Sequence, residues 1–132
     1  MSRAALLQGY LSDCRQAMLR PGRHDCALFA AGWVARCTGP DFAFEWRERY
    51  RTLDEGRAAL AAAGFGSLTA IAAHHLGAPM GWMAAQVGDV AVVIEDGEEA
   101  FGLVGGAFIH CLAPHRGLNV VPLPRAVRVF RP

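Results

Sequence analysis

The stretch Gly22-Arg23-His24-Asp25-Cys26-Ala27-Leu28-Phe29 places a thiol and a carboxylate side by side at the start of an apolar run. A cysteine at a helix N-terminus feels the positive end of the helix dipole and faces free backbone N–H groups, and both favour the nucleophilic thiolate. Acyl transfer at such a thiol also needs an imidazole to take its proton and a polar group to orient that imidazole. Without them, cysteine is one of the most frequently buried residue types and simply fills space. Whether Cys26 is a nucleophile thus depends on which histidine can approach it.

There are five histidines. His24 is next but one to Cys26, on a connection that would orient it poorly. His74 and His75 are neighbours on a predicted helix and point in different directions, which disfavours a shared metal. His115 follows Pro114 in a turn and is expected in solvent. His110 lies in the alternating run Phe108-Ile109-His110-Cys111-Leu112, facing away from Cys111. Cys14 and Cys37 fall on apolar helical faces and read as core fillers.

Other chemistries find less support. Asp96, Glu98 and Glu99 surround a turn at Gly97 and read as a solvated hairpin tip, not as a glycosidase carboxylate pair. Gly105-Gly106 lacks the lysine and helix of a phosphate loop. The four cysteines contain no C-x-x-C pair, so neither a zinc ribbon nor an iron–sulfur centre is indicated. No cofactor and no metal is expected.

The elements that must position these residues are readable from periodicity. Ala4, Leu7, Leu11, Cys14 and Met18 form one face of a helix over residues 3–19, which Arg20-Pro21-Gly22 ends. Asp25 is the expected cap of a second, almost wholly apolar helix running to Thr38, the buried central helix that carries Cys26. Thr52 with Glu55 has capping-box spacing for a helix through Ala62, and Ser67 caps another to about Leu76. The segment Phe42–Arg51 mixes aromatics with charge; it reads as a short helix or an irregular packed strip. Trp46 and the Arg49-Tyr50-Arg51 run are either a partner-facing surface or, four residues apart, Trp46 and Tyr50 pack on the core. From Gly88 onward five short β-branched runs separated by turns predict an antiparallel sheet or small barrel. Helices first and strands second give an α+β class, in one domain over residues 1–132.

Composition narrows the partners. At 132 residues and 53% hydrophobic content the chain suits one compact core. Its formal charge is +1, with thirteen basic residues that are all arginine, so no net field points to nucleic acid or an anionic membrane surface. The N-terminal run is broken by Gln8 and Asp13 and is not a signal peptide, and no apolar window is long enough for membrane insertion. Synthesis in the bacterial cytoplasm is expected.

The order HDCALF, QVGDVAVV, FGLVGGAFIHCL and GLNVVPL resembles the NlpC-type branch of papain-like cysteine peptidases, which cleave peptidoglycan stem peptides. The resemblance implies a papain-like fold, with Asp25-Cys26 at the nucleophile pair, Gly88-Asp89 at the opening of the first barrel strand and His110 at the place of the third polar residue. In register with Gly102, the family's base falls on Ala100, which cannot accept a proton. Nearly the whole chain also resembles small proteins encoded among phage and prophage tail genes, through GRHDCALF, RYRT and QVGDVAVV. Two functions follow from these likenesses. One is a degenerate peptidase domain with a structural or interaction role among tail-tip or hub proteins of a phage-type virion. The other is an active peptidase or amidase acting on peptidoglycan, with Cys26 as nucleophile, His110, or less readily His24, as the candidate base, and Asp89 or Asp25 as the candidate orienting group.

Overall fold

The computed structural model describes residues 1–132 and has an α+β architecture. Four helices come first, α1 (Arg3–Cys14), α2 (Cys26–Thr38), α3 (Leu53–Ala62) and α4 (Leu68–Leu76). Each begins at a side-chain cap: Ser2, Asp25, Thr52 and Ser67 accept the N–H groups of Ala5, Leu28, Glu55 and Ala70, at 3.0–3.1 Å. Five strands follow, β1 (Val90–Glu95), β2 (Glu98–Val104), β3 (Phe108–Leu112), β4 (Leu118–Pro122) and β5 (Arg128–Phe130). They form one antiparallel sheet in the order β4-β3-β2-β1-β5, not closed into a barrel, with Met80 bridged to Val129 on the outer side of β5.

β1 is buried on both faces, as its unbroken Val-Ala-Val-Val run requires. Val90 and Val92, with Phe101 and Leu103 of β2, pack on α1 and α2 around Trp33, which is 0% exposed. Ala91 and Val93 face a second cluster with Val104, Ile109, Cys111 and Val129. The β1–β2 loop is a two-residue turn at Asp96-Gly97, both with positive φ (51° and 78°), the backbone that matches the twist of a hairpin. Its register sets Val92 opposite Phe101 and Val93 opposite Ala100.

One expectation is corrected and one alternative is decided. Helix α1 stops at Cys14 and not near residue 19, because the following N–H groups pair elsewhere: Leu19 donates to His115 at 2.7 Å and Met18 bridges Arg116. Met18, the last member of the apolar stripe, is left 53% exposed, with no core surface to cover it. Residues 42–50 are a series of turns, which is the irregular strip of the two alternatives and not the short helix. No helix is long and apolar enough to cross a membrane.

Candidate functional site

Cys26 opens α2 and lies in a cleft of about 660 Å³ bounded by α2, α3, α4 and the β1–β2 hairpin. The backbone N–H groups of Phe101 and Ala27 approach the thiol and favour its thiolate, as a helix N-terminus should. Burial outweighs them: it is the largest influence and, with Asp25 and Glu95 adding negative charge, pushes the thiol up to about 11. Ala100 lines the same cleft, one residue from Phe101, and offers only a methyl group.

His110 is not brought to Cys26. It pairs with Leu103 on one side and Val120 on the other, and its ring lies over Gly105, where a β-carbon would collide with it. It is not among the residues lining the cleft. Burial alone lowers its pKa. The reason is register. His110 stands across from Leu103, two residues along β2 from Phe101, whose N–H approaches Cys26. His24 is no substitute: its ring meets the edge of Phe29 at 6.1 Å, and its Nε2 is buried without a partner. No histidine contributes to the shift at Cys26.

Both candidate orienting carboxylates are occupied elsewhere. Asp25, 2% exposed, accepts from Leu28 N–H at 3.0 Å, Gly22 N–H at 2.9 Å and the Tyr50 hydroxyl at 2.5 Å. Asp89, fully buried, accepts from Gln86 N–H at 2.8 Å and takes a two-pronged contact from Arg131 at 3.0–3.1 Å. Gly88 before it has φ +90°, and its carbonyl accepts from Trp33 Nε1 at 2.8 Å, so this turn is held to α2. The Asp-Cys and Gly-Asp pairs are thus anchored as structure.

Sequence reasoning missed three features. Tyr50 is buried, as the core-packing alternative had it, and its unforeseen bond to Asp25 joins the RYRT and HDCALF words physically. Cys111, on the face opposite His110, is close enough for Cys26 to raise its pKa, and with burial as the leading cause it reaches about 12. The acidic hairpin is not a free tip: Glu98 meets Arg57 of α3 at 3.4 Å, and Glu99 accepts from Thr69 N–H at 3.2 Å and Oγ1 at 2.6 Å, at the start of α4. A carboxylate aimed at a helix N-terminus is the recognisable signal there, visible only once the two segments are adjacent.

Beside the main cleft, a hollow of about 380 Å³ lies between residues 41–46 and the end of α4. Phe42 stacks on His75 there, with ring centres 4.2 Å apart. No three His, Cys, Asp or Glu side chains converge in an arrangement that could hold a metal ion.

The model of one protein family, described as a domain of unknown function (DUF6950), matches residues 2–132. No curated protein matches the chain.

Proposed function

This chain belongs to the DUF6950 family, and we propose that it is a papain-like domain of the NlpC type that has lost its catalytic base and works through its surfaces, as a component of a phage-type tail tip. The observation that carries the reading is the composition of the cleft around Cys26: a thiol pushed up to about 11, Ala100 beside it and no histidine along the lining other than His75, which is stacked on Phe42. A thiol in that state is a poor nucleophile near neutral pH, and loss of general acid–base function costs about 10²–10⁴ in rate. The helix-then-sheet order supports the papain-like plan, and the words GRHDCALF, RYRT and QVGDVAVV support the tail-gene assignment.

The cleft's charge also argues against a peptidoglycan stem peptide, which itself carries carboxylates. Asp25, Glu95, Asp96, Glu98 and Glu99 line it against a single basic residue, Arg57. Like charges facing each other across a desolvated contact are unfavourable. The test is incubation of purified protein with muropeptides, followed by chromatography. We expect no product above that of the Cys26→Ala variant. Cys26-dependent release of stem peptides would overturn the reading and restore an active peptidase.

A further inference from the structure

We propose that the cleft over Cys26 is a docking groove for a partner polypeptide segment bearing apolar side chains flanked by Arg or Lys. The inference rests on the non-catalytic reading of the site and adds to it the chemistry of the occupant. The groove's walls are apolar and incompletely covered: of Phe42, Trp46, Leu53, Leu60, Phe65 and Ile71, none is buried, and Leu53 is 43% exposed. Helix α3 contributes two of these and buries no residue of its own; its inward face meets the Tyr50 ring at Gly56 and leaves Leu60 only half-buried. Apolar surface of this kind, rimmed by polar groups, marks a binding groove.

Charge identifies what fills it. The rim carries Glu95, Asp96, Glu98 and Glu99, while its one cation, Arg57, is already held by Asp54 at 2.8 Å and Glu98 at 3.4 Å. Glu99 is held by Thr69, which leaves Glu95 and Asp96, both exposed, without an ion-pair partner. The adjoining hollow adds Phe44 and Trp46 beside Glu45, while its Phe42 and Phe65 are packed on His75 and His74. Phe44 is 78% exposed, and Glu45 makes no ion pair, whereas neighbouring Asp41 is engaged by Arg47. Aromatic faces next to a free carboxylate suit a guanidinium or ammonium group. An apolar trough with acidic edges and an aromatic end therefore complements a basic–apolar segment.

The experiment selects binders from a yeast-displayed library of random short peptides against the intact protein, then measures a fluorescein-labelled consensus peptide by anisotropy. Enriched peptides should carry apolar residues next to Arg or Lys. The consensus should bind about tenfold or more weakly to Glu95→Lys/Asp96→Lys and, separately, to Leu60→Glu, with circular dichroism confirming that both variants fold. Absence of enrichment, enrichment of acidic or uncharged peptides, or equal binding by both variants would overturn the proposal. So would a concentration-dependent dimer in sedimentation that Leu60→Glu abolishes, since the occupant would then be a second copy of this chain. Cleavage of the bound peptide that Cys26→Ser stops would instead overturn the non-catalytic reading and leave the groove in place.

Discussion

Asp25 gathers three hydrogen bonds from three segments, the Gly22 turn, the first turn of α2 and Tyr50, and it does so while buried. Removing its carboxylate strands the Tyr50 hydroxyl and uncaps α2 together, so Asp25→Ala should cost about 2–4 kcal/mol in urea unfolding. Tyr50→Phe should cost about 1–2 kcal/mol, with the double variant less than additive. Cys26 makes a sharper prediction about reactivity. Its thiol is raised from 9.0 to about 11, so thiolate is about a hundredfold scarcer than at an ordinary cysteine. Iodoacetamide labelling, mapped by mass spectrometry, should be slower at Cys26 than at a model thiol near neutral pH and should climb with pH, since the raised pKa leaves the neutral thiol dominant until the solution approaches it. Labelling at neutral pH faster than a model thiol would show an activated nucleophile.

At the scale of elements, α2 is the axis of the fold, with α1 on one side and the sheet on the other. The approach of α1 is close enough that a β-carbon on Gly32 would stand 2.5 Å from the Tyr10 hydroxyl, which is itself bonded to the Phe29 carbonyl at 2.6 Å. Helix propensity alone favours alanine at a mid-helix glycine by about 1 kcal/mol. Here packing should win, and Gly32→Ala should destabilise by about 1–3 kcal/mol in the same unfolding assay. Helix α3 is the opposite case. With no buried residue, its amides should exchange with deuterium well before those of α2. Equal protection of the two helices would mean that α3 is covered in solution.

For the whole molecule, burial lowers the pKa of His24, His75 and His110 from the ordinary 6.5. The unfolded chain then binds protons that the folded one does not, so stability is complete above about 6.5 and is lost as pH falls through the depressed folded values. Denaturant midpoints should therefore drop between neutral pH and mildly acidic solution, and replacing the three with glutamine should flatten that slope. Arg131 closes the molecule from the far end of the chain by pairing with buried Asp89 at the start of β1. Arg131→Ala leaves that carboxylate short of its partner, and the melting temperature should fall by more than it does for loss of the exposed Arg23–Glu48 pair.

The sequence by itself determined the local structure. Caps at Asp25, Thr52 and Ser67, the buried α2 and the five strands follow from side-chain hydrogen bonding and hydrophobic period, which act over a few residues. It also placed Cys26 at a helix N-terminus, where dipole and N–H groups favour thiolate. What only the tertiary structure decided was which groups meet. The strand register set His110 across from Leu103, two residues from Phe101, and the turns over residues 42–50 carried Tyr50 onto Asp25. The hairpin's acids came to rest against α3 and α4 as the rim of a cleft. These outcomes depend on distant segments packing against one another, and at Cys26 the burial that packing creates outweighs the local field of the helix.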